Sequence, residues 1–462
     1  MSSSFTSPPD QIWPPFAAGS AGDFYAGEST TPAVLGPQWP DPPAEAYRGI
    51  VGDFVDIVRP ETESDPVALL IQALTFFGNC ANRTSHFRVE ASQHAANVNV
   101  VLVGDTAVGR KGTSESHVRR LFNLIDPQWT GTRIQSGLSS GEGLIHAVRD
   151  SSARKEPLKD KGRVTGYQDV IVDAGIDDKR LLVIESEFSS VLKVAMRAGN
   201  TLTVIVRQAW DSGTLRGMTK NCPSNATDAH ISILGHIPKY ELLRLMDETD
   251  CANGFANRFL WLCVRRSQEL PEGGFVSDDQ LEPVVRGMQG ALDFARRHGE
   301  LRRDDAARQL WADRYHDLSS RRPGLLGAVL GRAEAQVVRL SLLYALLDCS
   351  PVITEDHLRA AQALWKYCAD SAAYIFGDAL GDPTADTILA ALRKAPDGMT
   401  RTDISAIFGR HRSSREIDLA LISLAQQNLT RTEREGTGGR PVEKFFSVEL
   451  VGNRAIEKGE PQ

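Results

Sequence analysis

The sequence has no uninterrupted run of about 18 apolar residues, the length that a membrane-spanning helix requires. Its first residues also lack the basic stretch and apolar core of a secretory leader. The six cysteines lie far apart, without a CxxC pair or a nearby histidine, so neither a zinc site nor a disulfide framework is indicated. We therefore expect a soluble, cytoplasmic protein with reduced thiols and no membrane contact.

An excess of basic charge is missing as well. The chain has 52 Lys and Arg against 59 Asp and Glu, a net charge of -7, and so cannot coat nucleic acid uniformly. Any contact with DNA has to be local. At 462 residues the chain is too long for one ordinary core, which predicts roughly two or three domains.

Composition and periodicity divide the first part of the chain. Residues 1–43, rich in Pro, Ser and Gly, predict a disordered tail, and residues 44–97 predict helices that lead into a sheet. Residues 98–275 alternate buried strands with helices, which predicts an open, mostly parallel α/β sheet. Within them, the charged and aperiodic segment 151–179 predicts an insertion or mobile loop. The predicted strands lie in VNVVLVG (98–104), RLLVIESEF (180–188), AHISILGHI (229–237) and NRFLWLCVRR (257–266).

The second part of the chain has two patterns. Residues 276–383 repeat apolar side chains at helical spacing and predict a helical domain without strands. Residues 384–450 predict three helices followed by a β-hairpin around GTGGRP, the arrangement of a winged helix-turn-helix. Residues 451–462 predict a second tail.

The stretch VGDTAVGRKGTS contains the parts of a phosphate-binding loop between a strand and a helix. Gly104 ends the strand, and Lys111 can reach the phosphates. Glycines at 109 and 112 let the backbone approach the ligand, and either hydroxyl of Thr113 or Ser114 can bind Mg²⁺. Arg110 departs from the usual spacing, since it separates Gly109 from Lys111. The sequence predicts an ATP site, and the alternative is a glycine-rich turn with an exposed lysine.

Three acidic residues are candidates for the chemistry of such a site. Glu185 ends a buried strand and can hold the metal, while Glu187 follows two residues later and can orient the attacking water; the two roles can also be exchanged. Glu142 begins a helix and is the other candidate base. The alternatives are solvated carboxylates at a strand end and an acid favoured by the helix dipole.

Three further residues are predicted to respond to the nucleotide. His236 follows a buried strand and can sense the γ-phosphate. Arg258 precedes a strand and can reach a neighbouring subunit's nucleotide as an arginine finger. Arg332 begins a helix and is a candidate second sensor. For each, a structural histidine or salt-bridged arginine is the alternative.

Basic residues also mark the start of the third predicted helix of the C-terminal region. Arg410, Arg412 and Arg415 lie where recognition helices meet DNA, and Arg440 and Lys444 on the predicted wing can hold phosphates. Winged helices also pack against proteins, and this alternative stays open.

Together, the motifs of residues 44–448 resemble the YfjI-like ATPases of prophages, phages and plasmids, relatives of RecA-like and superfamily-3-like replicative helicases. The resemblance is carried, in order, by VGDTAVGRKGTS, SGLSSGEGLIHAVRD, LLVIESEF, the GNTL and RQAWDSGTLR segments, HISILGHI and GFANRFLW. It implies a P-loop ATPase core, a helical lid, a DNA-binding C-terminus and assembly into a ring, which we expect to be hexameric.

The leading hypothesis is an ATP-hydrolysing DNA motor or helicase-like protein that replicates a mobile element. In it, Lys111, Thr113 and Glu185 coordinate MgATP between subunits. The alternative is a DNA-binding initiator or regulator whose nucleotide site only switches conformation. A phosphotransferase acting on a small molecule is a third reading.

Overall fold

The computed structural model describes residues 38–104, 110–160, 163–217, 225–246, 254–320, 324–377, 382–409, 411–426, 429–435 and 442–448. All of them belong to one of the two units into which the chain divides, Pro37–Gln462. The other unit, Met1–Gly36, lies outside the described residues.

Helices occur in every region of the described residues, from the N-terminal region to the C-terminal one. In chain order they are α1 (Gly49–Val58), α2 (Pro66–Ala81), α3 (Lys111–Ile125), α4 (Pro127–Arg133), α5 (Gly141–His146), α6 (Phe188–Ala195), α7 (Leu202–Asp211), α8 (Lys239–Leu245), α9 (Asp278–His298), α10 (Asp305–Ser319), α11 (Gly324–Leu330), α12 (Ala333–Leu347), α13 (Glu355–Phe376), α14 (Pro383–Arg393), α15 (Arg401–Ile407) and α16 (Ser414–Gln426). Short 3-10 helices lie at Ala44–Ala46, Arg59–Glu61 and Ala256–Arg258.

The strands of the described residues form several separate sheets. In chain order they are β1 (His86–Val89), β2 (Ser92–Ala95), β3 (Asn99–Val103), β4 (Ile134–Gln135), β5 (Ser152–Asp160), β6 (Arg163–Asp173), β7 (Arg180–Glu185), β8 (Leu215–Arg216), β9 (Asn225–Ala226), β10 (His230–Ile237), β11 (Phe259–Cys263), β12 (Glu300–Arg303), β13 (Val352–Ile353), β14 (Met399–Thr400), β15 (Thr430–Glu435) and β16 (Val442–Ser447).

The central sheet has five parallel strands in the order β11-β3-β10-β7-β4. Every residue of β3, β10 and β11 is buried, as the continuous apolar runs predict for strands covered on both faces. The predicted mixed α/β class with a parallel sheet is therefore confirmed. Because the strands are parallel, β3, β10 and β7 end at the same edge of the sheet, which we call the carboxyl edge.

Helix α2 lies against this sheet and is buried on nearly all sides. Asp65 caps it by accepting the backbone N–H of Val67, and Pro66 occupies its first turn. Its buried amide Asn79 donates to the carbonyl oxygens of Leu181 and His230 at 2.9 and 3.0 Å. This side chain joins the helix to two neighbouring strands of the sheet.

Several predicted boundaries need correction. The segment predicted as an insertion or mobile loop contains a two-stranded antiparallel ribbon, β5 paired with β6. The backbone groups of the two strands pair with each other, while most of their side chains are exposed. Because neither face of the ribbon is buried, the sequence shows no alternation of apolar and polar residues. Trp39, predicted to lie in the tail, packs edge-on against Tyr374 with 5.2 Å between ring centroids.

A second sheet was also missed. It has four strands in the order β13-β12-β1-β2, with β1 parallel to β12. Two of its strands lie in the region predicted to be entirely helical, and the other two lie in the N-terminal region predicted to lead directly into the central sheet. The strands have two to four residues each, too few to produce a recognisable alternation.

Residues 382–448 form a small body with its own apolar core. Three helices, α14 to α16, pack with an antiparallel sheet of order β14-β16-β15. Thr400 and Asp403 form the capping box of α15. Ser413 and Glu416 make reciprocal contacts at the start of α16.

Candidate functional site

The carboxyl edge of the central sheet begins with a tight approach at Gly104. Its backbone N–H donates to the carbonyl oxygen of Ile237, the last residue of β10, at 3.3 Å. A Cβ atom at this position would lie 2.3 Å from the carbonyl oxygen of Val264, so the site requires glycine. The following residues 105–109, which include the predicted loop residue Gly109, lie outside the described residues.

Lys111 is the first residue of α3, directly beside these strand ends. Its Nζ donates to the carbonyl oxygen of Gly104 at 2.6 Å and lies 3.4 Å from that of Ile237. The ammonium group thus lies over the ends of β3 and β10 and contacts a carbonyl oxygen at each. The N-terminus of α3 adds positive potential at the same place, so the local field favours an anion.

Arg110, the residue that breaks the usual spacing, has a left-handed backbone conformation with φ of 45°. Its Nε lies 2.6 Å from Oε2 of Glu63, an ion pair that the sequence did not predict. The backbone N–H of Leu270, together with the guanidinium groups of Arg110 and Arg266, holds the pKa of Glu63 below its usual value. The extra residue is therefore accommodated as a turn immediately before the helix.

An open pocket of about 560 Å³ surrounds this helix start. Thr113 and Gly112 line it, and an added Cβ at Gly112 would meet nothing within 4 Å. Ser186, which follows β7 and separates the predicted acids Glu185 and Glu187, lines the same pocket, as does His236 of β10. The structure therefore brings the predicted loop lysine, the predicted sensor and the end of the acid-bearing strand to one cavity.

The prediction for Ser114 is corrected. Its side chain is fully buried, and its hydroxyl accepts a hydrogen bond from Nε2 of Gln72 at 2.7 Å. The same hydroxyl donates to the carbonyl oxygen of Lys111. Ser114 faces α2 because it lies on the packed side of α3, so only Thr113 of the two predicted hydroxyls faces the pocket.

His236 is the buried polar side chain of this pocket, with 4% of its surface exposed. Its Nε2 has no hydrogen-bond partner among the described residues. Burial, reinforced by the positive charge of Lys111, lowers the pKa of His236 to about 4, so the ring is neutral at physiological pH. A phosphate sensor would require a neutral imidazole nitrogen that can form a new hydrogen bond where the local field favours an anion. Nε2 of His236, which has no hydrogen-bond partner among the described residues, meets this requirement.

Glu185 is buried at the end of β7, in register with Gly235. Its Oε1 accepts the backbone N–H groups of Gly137 and Leu138 at 2.7 and 2.6 Å, which the sequence did not reveal. Glu187 is exposed and occupies the position before α6. The two acids thus differ, since one carboxylate is fixed by a loop and the other faces solvent.

Glu142 is exposed in the first turn of α5, and its Oε1 accepts the hydroxyl of Thr201 at 2.9 Å. It does not line the pocket around Lys111. Its helix follows the loop that holds Glu185 by only a few residues. Glu142 therefore remains a candidate base near the site, although it does not line the cavity.

Arg258 and Arg332 lie near the opposite, amino edge of the sheet, close to Asp211 at the end of α7. Arg258 precedes β11, its side chain is only 7% exposed, and its Nη2 lies 2.6 Å from the Asp211 carboxylate. Arg332 reaches the same carboxylate at 3.6 Å. Neither residue lines the Lys111 pocket, and the arrangement of Arg258 favours the alternative of a salt-bridged arginine.

The predicted DNA-binding residues are partly described. Arg410 and Arg440 lie outside the described residues. Arg412 pairs with Glu416 at 3.0 Å, Arg415 is exposed in the first turn of α16, and Lys444 lies on β16 opposite Glu433. The exposed face of α16 also presents Leu419 and Ile422, which are 57% and 53% exposed. Apolar side chains therefore lie on the same helix as the predicted DNA-binding Arg415.

No protein-family model and no curated protein matches this chain. None of the described helices has the length and apolar character needed to cross a membrane. Within the described ranges, no three His, Cys, Asp or Glu side chains converge as a metal cluster. Such a cluster is not required for Mg²⁺, which proteins commonly hold through one or two oxygen ligands together with the phosphates of a substrate.

Proposed function

We propose that this chain is an ATP-hydrolysing DNA motor or helicase-like protein with a P-loop core at residues 98–275. The observation that supports this most is the meeting of Lys111, Thr113 and His236 in one pocket at the ends of parallel strands. Glycine-bounded turns followed by a helix N-terminus are the usual way in which α/β sheets hold phosphate groups. The resemblance to YfjI-like ATPases is consistent with this assignment.

In this proposal, Lys111 and the first N–H groups of α3 bind the β- and γ-phosphates. Lys111 would then exchange the carbonyl oxygens it contacts for phosphate oxygens. Mg²⁺, when bound, neutralises charge on the phosphates, and Thr113 and Glu185 are the residues whose oxygens fit it. Because loop N–H groups fix one oxygen of Glu185, the carboxylate keeps a defined orientation at the end of β7, although it does not itself line the pocket.

Glu187 or Glu142 would orient the attacking water, and His236 would detect the γ-phosphate through its unpartnered nitrogen. An arginine from a neighbouring subunit would complete the site, which implies a homo-oligomer and, by the resemblance, a hexameric ring. Arg258 and Arg332 lie near the amino edge of the sheet, and a five-residue strand such as β11 spans roughly 16 Å. They are therefore too far from Lys111 to contact a nucleotide bound by their own subunit.

Residues 276–383 would form the helical lid and residues 384–450 a winged helix-turn-helix that contacts DNA. The three helices and the antiparallel sheet of the C-terminal body have the element order of such a module. We place the protein in the cytoplasm, in replication of a mobile element.

One observation favours the second candidate, an initiator or regulator that binds ATP as a switch. The Glu185 oxygen that already accepts two backbone N–H groups has less capacity for a metal's water shell. In that case the nucleotide would order the loop at Gly137 without being hydrolysed at a useful rate.

Phosphate release from ATP by the full chain, with single-stranded DNA, duplex DNA or neither, separates these functions. For a motor we expect turnover that DNA stimulates and that Lys111→Ala removes. Lys193→Ala, an exposed lysine on α6, is the matched control and should retain turnover. ATP binding without turnover would support the switch, and turnover indifferent to DNA would contradict a DNA motor.

A further inference from the structure

A second pocket, of about 580 Å³, lies where the four-stranded sheet meets α10 and the start of α12. Its wall is largely aromatic and apolar, including Phe87, Trp311 and Tyr315. It shares no residue with the pocket around Lys111. The nucleotide site proposed above therefore does not account for it.

Arg303, the last residue of β12, lies between two aromatic rings of this wall. Its guanidinium carbon is 4.5 Å from the ring centroid of Phe87 and 3.9 Å from that of Trp311. Burial lowers the pKa of Arg303 to about 10, so the side chain remains charged at physiological pH. The two rings fix the plane of the guanidinium while contributing no hydrogen-bond acceptor.

Two N–H positions of this guanidinium are left without a partner. Nε and Nη2 of Arg303 are shielded from solvent and have no hydrogen-bond partner among the described residues. These two nitrogens form one edge of the guanidinium, the edge that binds a carboxylate or phosphate through two parallel hydrogen bonds. Buried donors are nearly always paired in folded proteins, so an unpaired pair on one edge points to a missing acceptor.

A second polar group of the same wall is also unpaired. Nδ1 of His94 is buried and has no hydrogen-bond partner among the described residues. Burial, followed by the charge of Arg339 and Arg332, lowers the pKa of His94 to about 4, so its ring is neutral. A neutral imidazole in the same wall can supply a hydrogen bond without adding charge.

The wall of the pocket contains three arginines and one acid. Its charged residues are Arg88, Arg303, Arg332 and Glu334. Arg88 is paired with Glu300 at 2.8 Å, and Arg332 with Asp211 at 3.6 Å. Arg303 has no ion pair in the part of the chain that the structure describes, and it is the cation that an entering oxyanion would neutralise.

We propose that this pocket binds a small oxyanion carried on a flat ring, with the carboxylate or phosphate on the Nε–Nη2 edge of Arg303 and the ring against Trp311 and Tyr315. The aromatic wall would contact the ring, and His94 would donate to or accept from its polar substituents. Arg332, predicted as a nucleotide sensor, would instead belong to this second site.

Calorimetric titration of the full chain near neutral pH with phenyl phosphate, benzoate and inorganic phosphate tests the proposal. We expect phenyl phosphate or benzoate to bind, and the tighter of the two identifies the head group. Inorganic phosphate, which has no ring, should bind about tenfold more weakly than phenyl phosphate. Lys111→Ala should leave the binding of the ring ligands unchanged, which separates this site from the proposed ATP site.

Arg303→Lys keeps the charge but removes the paired edge, and should weaken binding about tenfold. Arg302→Lys on the same strand is the matched control, because Arg302 is exposed, and should bind as wild type. His94→Gln gives a second variant if Arg303→Lys does not fold, and should also weaken binding. Failure of all three ligands to bind wild type, or equal affinity of Arg303→Lys and wild type, would overturn the proposal.

Discussion

At the carboxyl edge of the central sheet, Lys111 contacts the carbonyl oxygen of Gly104, and Nε2 of His236 has no hydrogen-bond partner among the described residues. At the amino edge, Arg258 and Arg332 instead share the carboxylate of Asp211. An anion that enters the first region gains the charge of Lys111. In the second region, an anion would have to compete with Asp211.

The direction of the elements explains this difference. The carboxyl edge receives the N-terminus of α3, whose unpaired N–H groups attract anions. Asp211 is the last residue of α7, so the negative end of that helix adds to its carboxylate and attracts arginines. Lys111 and Arg258 therefore have opposite expected roles, ligand binding at the carboxyl edge and stabilisation of the fold at the amino edge.

The largest effect should come from Glu185→Gln. The amide oxygen of glutamine can still accept the N–H groups of Gly137 and Leu138, so the loop should stay in place while the charge opposite the metal is lost. We expect ATP turnover to fall about a hundredfold or more, measured as phosphate release.

Glu282→Gln is the matched control for that substitution, because Glu282 is exposed on α9 and has no role in the proposed site. It should leave turnover unchanged. If Glu142→Gln abolishes turnover while Glu185→Gln preserves it, the assignment of the two acids is reversed.

A smaller effect is expected at the amino edge. Arg258→Met leaves the charge of Asp211 compensated only by Arg332, and should lower the free energy of unfolding by about 2 kcal/mol, measured by urea denaturation. Arg197→Met, an exposed arginine after α6, is the control and should leave stability unchanged. The prediction of an arginine finger would gain support if Arg258→Met kept its stability, lost turnover, and regained turnover when mixed with Lys111→Ala subunits.

Local sequence patterns predicted the elements of the central sheet and the residues at their ends. Apolar runs that end at or near Gly104, Glu185 and His236 identify the buried strands and the edge of the sheet at which they end. The start of α3 near Lys111 follows from the glycine-rich turn before an amphipathic stretch. These features depend on neighbouring residues, which is why a single sequence reveals them.

Features that depend on distant residues could not be predicted. Thr113 and Ser114 are adjacent, yet only packing against Gln72 of α2 decides which hydroxyl faces the pocket. The partner of Arg110 is Glu63, which lies before α2 and has no motif of its own. The short strands β12 and β13 show no periodic pattern in the sequence. The aromatic surroundings of Arg303, the last residue of β12, could therefore not be predicted either.

The central claim is that the carboxyl edge binds the triphosphate of ATP, and calorimetric titration of MgATP into wild type and Lys111→Ala tests it most directly. We predict that wild type binds MgATP and that Lys111→Ala binds at least about tenfold more weakly, because the ammonium contact to the phosphates is lost. Lys193→Ala should bind as wild type. Equal affinity of wild type and Lys111→Ala for MgATP would contradict the account.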